Sequence, residues 1–149
     1  MDAPTDTVMN PTTGAPTGSD VMRQFLPASP LVAHLGIELD HLGDGTASLR
    51  LPFREHNATI GRVVHGGAIA TLVDTAAMAA AWAGAEVPDQ LRGATVALAV
   101  NYVAATDGVD LVAHARVVRR GHRLTSLSVE VTDPDERVVA TALATYQVG

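Results

Sequence analysis

His65-Gly66-Gly67-Ala68-Ile69-Ala70-Thr71-Leu72-Val73-Asp74 opens an alanine-rich stretch that runs to Ala85 and holds a single acid, Asp74. The stretch from Gly66 to about Gly84 predicts one long helix, apolar on nearly all sides, with Pro88 beyond its end. In a chain of 149 residues such a helix belongs in the middle of the core. Its alanine content and its acid argue against a membrane span. Two glycines at a helix start expose backbone N–H groups that can polarise a carbonyl or hold an anion. A lone carboxylate in a buried helix is costly unless it is paired or used. The alternative for Asp74 is a structural carboxylate satisfied by local hydrogen bonds, and for Gly66 and Gly67 a tight helix entry.

Upstream of the helix, Gly36–Asp40 and Thr46–Leu51 alternate in polarity around Gly43-Asp44-Gly45, which predicts a β-hairpin. Pro52–Val64 reads as a loop. Val21–Leu35 predicts one or two short helices, with Ser29-Pro30 as a start signal. Downstream come four strand-like runs: Ala94–Val103, Val109–Arg119, Arg123–Thr132 and Val138–Val148. Their short separators favour antiparallel neighbours. Two strands, a buried helix and four strands make an α+β domain whose antiparallel sheet curls around the helix. Residues 1–20, rich in Pro, Thr, Gly and Asp, read as a disordered tail, and residues 21–149 as a single domain. The tail lacks the apolar segment of a signal peptide, so the expected location is cytoplasmic.

Composition removes several chemistries. The chain has no Cys, which excludes a thiol nucleophile, a Cys-ligated metal and disulfides. All ten of its basic residues are Arg, so a Schiff-base lysine is excluded too. The net charge of −6 argues against nucleic acid as a partner. No Gly-x-Ser-x-Gly elbow occurs, which argues against a serine hydrolase. His34, His41, His56, His114 and His122 show no metal-ligand spacing, and no metal site is expected. One basic cluster stands out, Arg119-Arg120-Gly121-His122-Arg123 at a strand break. It is either a solvated hairpin or a place where guanidinium groups meet phosphate.

Spacing sharpens the picture. Gly66 and Asp74 lie eight residues apart, which is about 12 Å along a helix axis. Groups acting on one carbonyl must sit within about 3–3.5 Å of the reacting atoms. If both residues are catalytic, each must meet its counterpart on another copy. Two such helices, antiparallel and side by side across a two-fold axis, would form two composite sites.

The stretch His65–Asp74 resembles the signature of hotdog-fold acyl-CoA thioesterases, most closely the branch typified by the phenylacetic-acid-pathway thioesterase. Val100-Asn101-Tyr102-Val103, Val117 to Leu124 and Ala140 to Tyr146 are similar to that branch as well, so the likeness spans roughly Leu35–Val148. The resemblance implies a hotdog homodimer, often paired into a homotetramer, that hydrolyses acyl-CoA. No cofactor is implied beyond the CoA of the substrate. It further implies that the Gly66 N–H polarises the thioester carbonyl and that Asp74 of the other subunit attacks it or activates a water. His65 would position the substrate or the loop, and Thr95 would orient the water. Gly67, Arg119, Arg120, Gly121, His122 and Arg123 become candidates for substrate and CoA binding. Relatives often carry an Asn six residues before the His; that position is Thr59 here, with Asn57 as the substitute. Two rivals remain on the same fold: a non-catalytic acyl-CoA-binding module, and an enoyl-CoA hydratase. The hydratase branch pairs its Asp with a downstream helical His, and residues 75–85 contain none.

Overall fold

The computed structural model describes residues 14–149. Residues 1–13 of the expected tail lie outside the described residues. Its last three residues are helical, because α1 spans Gly18–Ala28 and not Val21 onward. The reason is a capping box: Asp20 N–H donates to Thr17 Oγ1, and Thr17 N–H donates to Asp20 Oδ2 at 2.8 Å. Ser29 ends α1, and Pro30 occupies the first position of α2 (Pro30–Leu35), where its missing N–H costs nothing. Gly36 closes α2 in the left-handed region, at φ 70°.

The hairpin follows as β1 (Glu38–Gly43) and β2 (Thr46–Leu51), paired antiparallel. The segment read as a plain loop is more ordered than expected. It contains a 3-10 turn at Glu55–Asn57 and a miniature hairpin, β3 (Ala58–Ile60) with β4 (Val63–Val64). The central helix, α3, spans Gly66–Trp82, and Gly84 beyond it has φ 83°. Four long strands complete the chain: β5 (Gly93–Tyr102), β6 (Leu111–Arg120), β7 (Thr125–Thr132) and β8 (Val138–Val148).

The six long strands form one antiparallel sheet in the order β1-β2-β6-β7-β8-β5. This corrects one expectation. β5 and β6 are consecutive but not neighbours; β5 pairs with β8, with Thr95 opposite Tyr146 and Val100 opposite Ala142. The sheet curls, so residues 103–110 cross its end, anchored where Val103 N–H donates to Val139 O. β5 is thereby an edge.

The architecture is the hotdog fold: a sheet wrapped around one helix. Its inner face alternates small and branched apolar residues, among them Ala113, Ala115, Val129 and Ala142, all buried. Alanines on α3 meet them, which lets backbone approach backbone. α1 and α2 cover one flank through Met22, Leu26, Val32 and Leu35. A Cβ at Gly18 would run into the Trp82 carbonyl, so the start of α1 rests directly on the end of α3. Among the described residues no helix is long and apolar enough to cross a membrane.

Candidate active site

Two chemical centres sit at different levels of α3. At its start, His65 is the N-cap residue, and its Nδ1 accepts the Gly67 N–H at 2.8 Å. An imidazole whose Nδ1 accepts carries its proton on Nε2, so the outward nitrogen of neutral His65 is a donor. The His65 carbonyl takes the N–H groups of Ala68 and Ile69. The Gly66 N–H has no acceptor among the described residues. Tyr102, at the end of β5, donates its hydroxyl to Gly66 O at 2.9 Å. Both ends of the Gly66–Gly67 peptide group are therefore tied down, one by Tyr102 and one by His65.

The two glycines differ in kind. A Cβ at Gly67 would sit 2.9 Å from His65 Nδ1, so the ring folds over that position only because it is glycine. A Cβ at Gly66 would reach the Tyr102 ring at 3.5 Å, an ordinary contact. It would instead narrow a hollow of about 390 Å³ beside the free amide, lined also by Thr59, Ile69 and Thr106. Asn57 is 2 % exposed and faces inward. Its Nδ2 donates to Pro52 O, and its backbone oxygen takes the His65 N–H at 2.7 Å. It braces His65 from behind, while Thr59 stands at the hollow.

Two turns along, Thr95 Oγ1 donates to Asp74 Oδ1 at 2.6 Å, linking β5 to α3. Asp74 is half-buried. Beside it lies Tyr146, opposite Thr95 in the β5–β8 register. Trp82 Nε1–H donates to Tyr146 Oη at 3.3 Å. Burial raises the Tyr146 pKa above the usual phenol value; the Trp82 hydrogen bond opposes this, and the charge of Asp74 adds to it.

The basic cluster divides. Arg120, itself exposed, donates to Ala81 O at 2.7 Å and to Ala83 O at 3.2 Å, so its guanidinium caps the end of α3 at the edge of the surface. Gly121, His122 and Arg123 are exposed and share a surface depression with Glu86 and Asp89. Arg119 is exposed as well. Among the described residues no group of three metal-ligating side chains comes together.

Sequence reasoning gave no role to Tyr102 or Tyr146. A signal existed: they are the two tyrosines of a chain poor in aromatics. The structure brings Asp74 and Thr95 together, and His65, Gly66 and Gly67 together. It does not bring the two groups to each other within one chain, since α3 is continuous between them.

A family model for the thioesterase superfamily matches residues 61–140, a span holding His65 to Asp74, Thr95 and the arginine hairpin. A Halobacterium salinarum protein, provisionally named an esterase, is 32 % identical over 117 residues, covering 76 % of this chain and 77 % of its own. A medium/long-chain acyl-CoA thioesterase of Salmonella typhimurium is 28 % identical over 145 residues, covering 87 % and 92 %. Among solved structures, a thioesterase family protein of Silicibacter pomeroyi superposes with a TM-score of 0.81 at 26 % identity, covering 89 % of this chain and 99 % of that one.

Proposed function

The chain belongs to the thioesterase superfamily, and from that premise we propose that it hydrolyses acyl-CoA thioesters to the free acid and CoA, at a site shared by two copies of the chain. The observation that carries the proposal is the Thr95–Asp74 hydrogen bond. Thr95 occupies Oδ1, which fixes the carboxylate and leaves Oδ2 to take a proton from water or to attack the thioester carbon. The free Gly66 N–H supplies the oxyanion donor. His65 Nε2–H lies at the same helix start and positions the substrate. Gly67 holds His65 in place, and Asn57 secures the loop behind it.

About 12 Å of helix separates the amide from the acid, so the amide of one copy works with the acid of another. The edge strand supports such pairing. β5 is ten residues long, and most of it is exposed, including Val96 and Leu98. A long apolar edge pairs with another strand unless something blocks it. A second β5 across a two-fold axis would continue the sheet and bring the two α3 helices alongside each other. In that dimer Arg119, Gly121, His122 and Arg123 are the groups proposed to meet the CoA phosphates. Arg120 is bound to the helix end and supports their hairpin.

With Asp74 as the base, water loses a proton to its carboxylate as the water oxygen bonds the thioester carbon. The oxyanion forms against Gly66 N–H; its collapse breaks the C–S bond, the departing CoA sulfur takes the proton held by Asp74 and leaves as the thiol, and the Asp74 carboxylate is regenerated. A thiol-release assay with the purified protein tests this. Saturated acyl-CoA substrates should be cleaved, and Asp74→Asn should lower kcat by at least about 10²-fold. Near-normal turnover in that variant overturns the role given to Asp74.

A further inference from the structure

The space beyond Asp74 is elongated. Asp74, Met78 and Trp82 lie four residues apart, on one stripe of α3. The hollow at Asp74 and Thr95, about 280 Å³, shares Phe25, Met78, Gly93 and Tyr146 with a larger one of about 650 Å³ that reaches Trp82 and Leu91. The two adjoin at those four residues and are taken together as one chamber, with α1 along the outer side of the larger through Val21, Met22 and Phe25. Glycine at position 93 is required there, because a Cβ would run into the Tyr146 hydroxyl. Tyr146 Oη accepts from Trp82, and Met22, Phe25, Met78, Trp82 and Leu91 make the lining of the larger hollow mainly apolar. Gln24 and Arg92, both exposed, also line the larger hollow.

Resting on the thioesterase reading above, we infer that this chamber takes the unbranched acyl chain of a medium-chain acyl-CoA, laid along α3 from Asp74 with its methyl end against Trp82. Length is the deciding quantity. Asp74 and Trp82 are about 12 Å apart along the axis. An extended chain gains about 1.2 Å per bond, so about ten carbons fill that distance. A single aromatic ring beside the carbonyl fills the first segment, down to Met78, and leaves Trp82 untouched. Each methylene buried in the chamber strengthens binding by up to about fourfold.

Trp82 is the single tryptophan of the chain, so its emission reports on the far end of the chamber. The experiment titrates CoA, benzoyl-CoA and the straight-chain C4, C6, C8, C10 and C12 acyl-CoAs into the Asp74→Asn protein while following that emission. The same series is assayed for thiol release by wild type. Emission should stay constant for CoA, benzoyl-CoA and the C4 ester, and shift once the chain reaches about eight to ten carbons. Wild-type kcat/KM should rise over the same range. Met78→Phe narrows the passage and should lower the C10-to-C4 ratio of kcat/KM by at least about tenfold. Thiol release that is indifferent to chain length, or greatest for benzoyl-CoA, overturns the chamber and leaves the thioesterase reading standing. An emission shift equal for all ligands does the same. A length-dependent shift with no thiol release from any substrate overturns the thioesterase reading and keeps the chamber.

Discussion

Thr95 donates its hydroxyl hydrogen to Asp74 Oδ1 at 2.6 Å, so a strand residue fixes the orientation of the one acid in the buried helix. The bond is charge-assisted, and bonds of that kind contribute about 1.5–3 kcal/mol. Thr95→Val removes the donor and keeps the shape. Because Asp74 stays in place as an acid, the loss should be smaller than for Asp74→Asn: about tenfold in kcat, with KM little changed. Steady-state kinetics on the two variants checks the ranking, and equal losses would mean that Thr95 does more than orient.

Gly67→Ala tests the tie between His65 and the backbone. The new Cβ would stand 2.9 Å from Nδ1, so the imidazole must swing away and the cap is lost. Loss of an N-cap costs about 1 kcal/mol. A lowered Tm together with lowered kcat is expected. An unchanged Tm would mean that the His65 cap adds little to the helix.

The arginines of the β6–β7 hairpin should separate by function. Arg120→Ala strips a cationic donor from Ala81 O and Ala83 O, and should destabilise the fold by about 1 kcal/mol with KM nearly unchanged. Arg123→Ala should leave Tm alone and raise KM for acyl-CoA several-fold, more at low salt than at high. Thermal melts and KM values at two ionic strengths distinguish the two.

What the sequence disclosed, and what it hid, follows from the range of the interactions. The central helix was legible because an unbroken apolar run with glycines at its start has one economical burial in a small chain. The strands were legible through alternation, which is local. The place of β5 was not, because a short connection reads as adjacency, and only the curl of the sheet brings β8 to it. Arg120 was hidden for a similar reason. The β6–β7 register slips between Val117 and Arg119, so counting alternate residues could not tell which arginine faces the helix. Asp74 and Thr95 were each picked out, yet their hydrogen bond joins residues 21 apart and depends on how the edge strand lies over α3.

Alkaline pH gives a handle on Tyr146. Its pKa is raised in the folded protein, chiefly by burial. The folded state therefore holds the phenolic proton more tightly than the unfolded chain does. Stability is fully present below the ordinary value of 10.0 and falls as pH rises past it toward the raised folded pKa. Urea midpoints above pH 10 should decline for wild type and decline less for Tyr146→Phe. Parallel declines would place the titrating group elsewhere.

Gly66→Pro removes the oxyanion donor and also adds ring carbons beside Tyr102 and the hollow at the free amide, so Gly66→Ala, which adds a Cβ and keeps the N–H, is its control. Gly66 is the first residue of α3, where proline's fixed φ suits the helix and its missing N–H breaks no helical bond. The residue before a proline must be extended, and His65 already is, at φ −64° and ψ 132°. The variant should fold and melt near wild type, because the only group deleted is an amide without an acceptor. Its kcat should fall by about 10²-fold, as expected for loss of one oxyanion donor. Mixed with Asp74→Asn after joint unfolding and refolding, it should recover activity. A heterodimer has one site with both defects and one with neither, so about half the wild-type sites per heterodimer should work. Recovery requires the amide and the acid to come from different chains; a mixture no more active than its parents would place both in one.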